Sequence, residues 1–256
     1  MEIIDRLNAK KDELGARLSN LYQGGSNRRE TLEYKIKKLE ELIVAYQSTS
    51  TPINFSEAEE ILNQQIGFEE QKERILNSLK IAGYCEQNNV RREPLILCLI
   101  GPLGVGKTTF ARILAQALKK EFFLVSLGGV SDNSLLVGAN ESSGGAEIGQ
   151  LTKSLLETKS RDPLILLDEI DKINSYGGNS DVHGCLSTFL DPVQNKEVLD
   201  YYLDVKLDFS QATFVVTAND SNKLPNYLLS RTTMIVELLG YNVEQKKEIA
   251  NQFIKK

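Results

Sequence analysis

Apolar residues fall into two rhythms along this chain: recurrence every three or four positions over the first fifty residues, then short unbroken apolar runs alternating with helical stripes. In the first region Leu32, Ile36, Leu39, Ile43 and Tyr46 alternate spacings of four and three, with Glu and Lys between them. That is the seam of a helical hairpin or coiled coil. Leu7, Leu14, Leu18 and Leu21 repeat it less regularly, and Gly24-Gly25-Ser26-Asn27 separates the two segments, which predicts an antiparallel pair. A seam this short either packs on the rest of the chain or serves as an oligomerisation device. Ser48-Thr49-Ser50-Thr51-Pro52 reads as a linker, with Pro52 at its boundary.

From Ser56 onward helices and strands alternate. Ser56-Glu57-Ala58-Glu59 predicts a capped helix start, and Phe68 to Ile81 a second helix with Ile75 and Leu79 on its apolar side. Strands are expected at Leu95–Ile100, Phe122–Leu127, Pro163–Glu169, Thr213–Asn219 and Met234–Leu238, and an amphipathic helix at Thr109–Leu118. This alternation predicts an α/β fold, a parallel sheet covered by helices on both faces. Ligands of such sheets bind beyond the C-terminal strand ends, where Gly101, Asp168 and Asn219 all fall.

Two of those strand ends carry recognisable chemistry. Gly101-Pro102-Leu103-Gly104-Val105-Gly106-Lys107-Thr108 has the form Gly, four residues, Gly-Lys-Thr, between a strand and a helix. This is a P-loop: its glycines let backbone N–H groups turn in around phosphates, at a helix N-terminus that favours anions. The nucleotide-binding set is therefore Gly101 through Thr108 together with Thr109. Lys107 would reach the β- and γ-phosphates of ATP, and the Thr108 hydroxyl would join a Mg²⁺ shell. The run Leu164-Ile165-Leu166-Leu167 ends in Asp168-Glu169. Asp168 is placed to hold Mg²⁺, and Glu169 to position or activate the attacking water. The plainer readings are a surface glycine loop and an acidic cap ahead of Ile170-Asp171-Lys172-Ile173.

Composition narrows the setting. The 256 residues carry 30 Lys and Arg against 35 Asp and Glu, a net charge of −5, so no nucleic-acid partner is expected. Arg28-Arg29 and Arg91-Arg92 read as solvated faces. No apolar run is long enough for a bilayer, and Met1-Glu2-Ile3-Ile4-Asp5 lacks a basic leader, which predicts a cytoplasmic chain without membrane partners. Cys85, Cys98 and Cys185 are scattered, implying reduced thiols with Cys98 in the core; His183, the single histidine, rules out a histidine-based metal cluster.

From about Ile66 to the end the chain resembles the ATPase module of Lon-type ATP-dependent proteases, within the AAA+ family. The resemblance is carried by Ser126-Leu127-Gly128-Gly129-Val130, Leu166 through Ile173, Leu190-Asp191-Pro192 with Gln194-Asn195, Tyr202-Leu203-Asp204-Val205, Thr217-Ala218-Asn219 and Leu238-Leu239-Gly240-Tyr241, in the family's order. The periodicity gives an arm at 1–50 and a linker and first helix at 51–65; the resemblance implies a large ATPase domain at 66–240 and the start of an α-helical lid at 241–256. It also implies that Asn219 is the sensor that hydrogen-bonds γ-phosphate and water, with an Asn capping the following turn as the plainer reading. Arg231 resembles an arginine finger acting on a neighbouring subunit, as against an ordinary surface residue. Ile66 and Gly67 resemble the segment lining the adenine pocket, although Gln65-Ile66 stands where the family has His-Tyr. The implied assembly is a ring, usually of six like subunits or mixed with related ones, acting on a polypeptide.

Three departures qualify this. The aromatic–aliphatic pair of the family's substrate-gripping pore loop falls here on Ser143-Gly144, small residues with little area for grip. A second loop, Asn174 to Gly184, offers Tyr176 instead. The chain stops within the first lid helix, so the lid's sensor arginine has no counterpart, and nothing resembles the Ser-Lys peptidase domain. The expectation is an ATP-binding, ATP-hydrolysing remodelling module without peptidase activity. The alternative is a nucleotide-dependent assembly switch with little turnover.

Overall fold

The computed structural model describes residues 2–21, 26–87, 95–173 and 182–254. In chain order the elements are α1 (Ile3–Ser19), α2 (Ser26–Tyr46), α3 (Phe55–Asn63), α4 (Glu69–Gln87), β1 (Ile96–Ile100), α5 (Lys107–Ala117), β2 (Phe122–Ser126), α6 (Ser134–Val137), α7 (Gln150–Thr158), β3 (Leu164–Asp168), α8 (Val182–Phe189), β4 (Val198–Asp200), β5 (Val205–Leu207), β6 (Thr213–Ala218), α9 (Asn226–Arg231), β7 (Met234–Glu237) and α10 (Val243–Ile254). They assort into two compact units, one of Met1–Ser50, Val130–Pro163 and Ser175–Ala212, the other of Thr51–Gly129, Leu164–Asn174 and Thr213–Lys256. Among the described residues no helix is long and apolar enough to cross a membrane.

The second unit holds a five-stranded sheet in the order β2-β3-β6-β1-β7, with every pairing parallel. All residues of β1 and β6, and the first four of β3, are buried. Unbroken apolar runs suit strands covered on both faces, whereas the edge strand β2 alternates buried and exposed positions. This is the expected α/β class. One sheet face, with Leu97, Leu99, Leu166, Val215 and Val236, packs with Ala58 and Leu62 of α3, Ile75 and Leu79 of α4, and Phe110 and Leu114 of α5. The cap of α3 is Asn54 rather than Ser56: its side chain accepts from the Ser56 and Glu57 amides at 3.2 and 3.3 Å. Cys98 is a core residue as expected, and burial pushes its thiol up to about 12.

In the first unit α1 and α2 pack on each other, and the short connection between them makes the pair antiparallel. α2 also meets α7, and α1 meets β5, which pairs antiparallel with β4. The seam differs from the expected one. The buried stripe of α2 is Leu32, Lys35, Leu39, Leu42 and Tyr46, with Ala45; Ile36 and Ile43 are only half-buried. A single heptad seam assumes one partner, but α2 has two, so its buried arc is displaced and broadened. Tyr46 is buried because its hydroxyl both donates to the Asp208 carbonyl (3.0 Å) and accepts from the Asp208 amide (2.9 Å). In α1, Leu7 and Leu14 are buried, while Leu18, and Leu21 just beyond, are half-buried. The Gly24-Gly25 turn, Arg91-Arg92, Tyr176 and the Cys85 side chain lie outside the described residues.

Candidate functional site

Three neighbouring strands deliver the predicted groups to one edge of the sheet. Gly101 follows β1, Asp168 ends β3, and Asn219 follows β6, which lies between the other two. The P-loop leaves β1 under tight constraint: a Cβ on Gly101 would come within 2.3 Å of the Leu238 carbonyl oxygen. Gly106 turns the chain into α5 at φ 95°, a conformation that costs other residues dearly. Pro102, Leu103 and Gly104 are exposed, Val105 is buried, Thr108 is half-buried at the start of α5, and Thr109 is exposed beside it.

Lys107 is 8% exposed, and its ammonium donates to the carbonyls of Gly101 (2.7 Å) and Pro102 (3.1 Å) and to Asn219 Oδ1 (2.8 Å). Burial lowers its pKa from the ordinary lysine value, while Asp168, Asp171 and Glu169 push it back up. The Thr108 hydroxyl lies 3.5 Å from Asp168 Oδ2. The other Asp168 oxygen accepts from the Thr217 hydroxyl, which in turn accepts from the Glu169 amide at 2.9 Å.

Glu169 breaks the strand. It adopts the left-handed conformation at φ 62° and occupies the N-cap position ahead of Ile170–Lys172, as the acidic-cap reading has it, but its side chain makes no capping hydrogen bond there. Its carboxylate instead pairs with Lys172, and a Cβ on Gly128 would lie 2.5 Å from its Oε2. The hydrogen bond that Lys172 donates to Glu169 raises the Lys172 pKa. Asn219 is not the turn cap: Asp220 fills that role, accepting from the Asn222 amide. The Asn219 amide nitrogen of the backbone donates to Asp171 Oδ2 at 3.1 Å. Asn219 Nδ2 and Asp171 Oδ1 are both buried, and among the described residues neither has a hydrogen-bond partner. A buried donor so placed suits a phosphate oxygen or a water.

On the other side of the P-loop, Gly67 (φ 77°) and Phe68 (φ 64°) are consecutive left-handed residues after half-buried Ile66. Phe68 packs against Tyr241 at a 47° tilt with centroids 5.1 Å apart and meets Phe110 edge-on at 6.2 Å. The Tyr241 hydroxyl accepts from Gln65 Nε2 (2.6 Å) and would lie 3.3 Å from a Cβ on Gly106. Ile66 and Gly67 are thus brought beside the P-loop through Tyr241. Arg231, half-buried, belongs to the opposite sheet end: it sits three residues before Met234, which pairs with Leu97 near the start of β1. Thr217, Asp171, Lys172, Gln65 and Tyr241 were not among the predicted site residues. The signal for Thr217 was a hydroxyl inside an otherwise apolar run, and for Asp171 a third acid three positions after Asp168.

A parallel α/β sheet with a glycine loop, lysine, hydroxyl and acids at adjoining strand tips defines a P-loop nucleotide-binding protein. The family model for "ATPase family associated with various cellular activities (AAA)" matches residues 97–239, and the chain belongs to that family. It is 38% identical over 204 residues to Lon protease homolog 4, chloroplastic/mitochondrial, of Arabidopsis thaliana, covering 79% of this chain and 21% of that protein. The Lon protease of Chlamydia trachomatis is 38% identical over 203 residues, 78% of this chain and 24% of that protein. The mitochondrial Lon protease homolog of Yarrowia lipolytica is 38% identical over 208 residues, 81% of this chain and 17% of that protein. The chain is an AAA ATPase module related to Lon proteases, and it spans about a fifth of the length of these relatives.

Proposed function

We propose that this chain binds ATP with Mg²⁺, hydrolyses it, and couples the cycle to unfolding or remodelling of a polypeptide, without peptidase activity of its own. The supporting observation is the convergence of Lys107, Thr108, Asp168 and Asn219, linked by hydrogen bonds at 2.8 and 3.5 Å, beside a Glu169 held out of its strand. Thr108 Oγ1 and Asp168 Oδ2 are hard oxygen donors close enough to serve one small cation directly or through water, so the residues fit Mg²⁺. Bound there, Mg²⁺ would neutralise phosphate charge. Lys107 would exchange its carbonyl partners for phosphate oxygens, and the buried Asn219 Nδ2 would donate to the γ-phosphate or the attacking water. Glu169, released from Lys172, would accept a proton from that water. Gly67, Ile66 and Tyr241 would flank the base. Arg231 would act on the nucleotide of a neighbouring subunit, because it lies at the far end of its own sheet. Acting in trans requires an oligomer, which this reading takes to be a ring, of six like subunits or mixed with relatives, in the cytoplasm.

The test is ATP turnover across a wide protein concentration range. Turnover per subunit should rise with concentration. Glu169→Gln should keep ATP binding and lower turnover about 10²–10⁴-fold, whereas Lys107→Ala should lose binding. Equal background turnover in wild type and Glu169→Gln would reject the enzyme reading. A second reading, an ATP-dependent assembly switch with little turnover, is favoured by exposed Ser143 and Gly144, which offer a threaded chain little to grip. It predicts an ATP-dependent change in oligomer mass, and an unchanged mass would remove it.

A further inference from the structure

Lys35 occupies a core position of α2 between Leu32 and Leu39, and it is 6% exposed. A lysine is kept inside only when its charge is met. Here Nζ pairs with Glu141 Oε1 and lies 4.6 Å from the centroid of the Tyr202 ring. Tyr34 meets the same ring edge-on at 6.2 Å. Glu141 is half-exposed, so it is the helix that gives up a core position to make this contact.

Glu141 belongs to a loop closed by the hydrogen bond from Ala139 N to Glu147 O (3.2 Å). The base of that loop is fixed separately. The buried Asp200 carboxylate accepts from Gly149 N (3.1 Å), Thr152 Oγ1 (2.5 Å) and Leu203 N (2.8 Å). Tyr201 N donates to Val137 O at 2.8 Å. The tip, Asn140 to Gly145, is exposed, and its turn is held by bonds from Ser143 N to Asn140 O and from Ala146 N to Ser143 O. Tyr202, which roofs Lys35, follows directly on the segment that fixes the base.

We propose that Lys35 is a positioning residue for the 139–147 loop: its buried ammonium, held by Glu141 and the Tyr202 ring, fastens the exposed Ser143-Gly144 tip to α2. The loop then cannot swing without carrying α2 or breaking this contact, so whatever engages the N-terminal helices also acts on the loop. The link to work on a polypeptide rests on the reading above; the fastening itself does not.

Hydrogen exchange on the full chain tests it. Lys35→Met and Glu141→Gln should each speed exchange at Ser142, Ser143 and Ala146 about tenfold, with α2 and α7 amides held within about twofold of wild type. The double variant should add no more than about twofold to either single one, because both remove one contact. Loop exchange unchanged in Glu141→Gln, an exposed substitution that leaves the core intact, would overturn the proposal, as would full additivity in the double variant. The polypeptide role is read apart from this, by photo-crosslinking from a benzophenone at Ser143→Cys to carboxymethylated lysozyme as the unfolded probe. Absence of a crosslink together with the expected exchange would sink the polypeptide reading and leave the fastening standing. A crosslink that Lys35→Met abolishes supports both.

Discussion

At the tips of β1, β3 and β6 the polar groups are held by the sheet itself, whereas around the 139–147 loop they are held by one another. Asp168, Asn219 and Gly101 take their places from strand register, and a side-chain change at Asp168 or Asn219 should leave the backbone where it is. The loop has no such frame. Its base depends on the donors gathered by Asp200, and its tip depends on a lysine from a helix more than a hundred residues earlier in the chain. Chemistry placed by backbone register is separable from stability; chemistry placed by side-chain contacts is not.

That contrast is open to attack in order of effect. Asp200→Ala strands several buried donors at once and should cost about 3 kcal/mol in urea unfolding, with loss of protection through residues 138–149. A loss below about 1 kcal/mol would mean the loop base is held by backbone after all. Thr217→Val keeps shape in a fully buried strand position but removes the hydroxyl between Asp168 and Glu169. It should lower ATP turnover about 10–100-fold with ATP affinity nearly unchanged. A comparable fall in affinity would show that Thr217 shapes the phosphate cradle rather than the acids. The last effect is alkaline. Burial raises the Cys98 thiol from 9.0 to about 12 and raises Tyr46 as well, so the unfolded chain loses these protons first. Stability present below about pH 9 should therefore fall above it, by about 1.4 kcal/mol per pH unit for Cys98 alone. Cys98→Ala should flatten the urea midpoint between pH 9 and about 10.5, and an unchanged slope would clear Cys98 of the effect.

The same contrast explains what could be read in advance. The P-loop, the acidic strand end and the strands themselves were legible because each is a contiguous string whose burial and conformation follow from its own residues. The third strand was expected to run through Glu169; it ends at Asp168, and Glu169 follows in a left-handed turn. Thr217 and Asp171 were passed over because a hydroxyl in an apolar run, or one more acid after a pair, is too weak a signal to assign a role; their roles exist only once β3 and β6 lie side by side. On α2 the periodicity was real but its phase was misjudged. Ile36 outranks Lys35 on any hydrophobic scale, and only Glu141 and Tyr202, distant in sequence, reverse that order. The short β4–β5 hairpin went unseen because three-residue strands leave no pattern.

The place of β6 has one more consequence. It separates β1 from β3, so the strands that carry the phosphate loop and the acidic tip stand two strand spacings apart, about 10 Å, and side chains such as Thr108 and Asp168 close the distance to 3.5 Å. β6 is therefore the gauge of the site. Its last residues reach both ways, Asn219 to Lys107 and Thr217 to Asp168. Side chains alternate along a strand, so a one-residue slip in β6 would turn Thr217 to the wrong face and move Asn219 by a full residue. The gap would keep its width and lose both of its markers, so a deletion within Thr213–Ala218 should disturb the site more than a substitution at Thr217 or Asn219 alone.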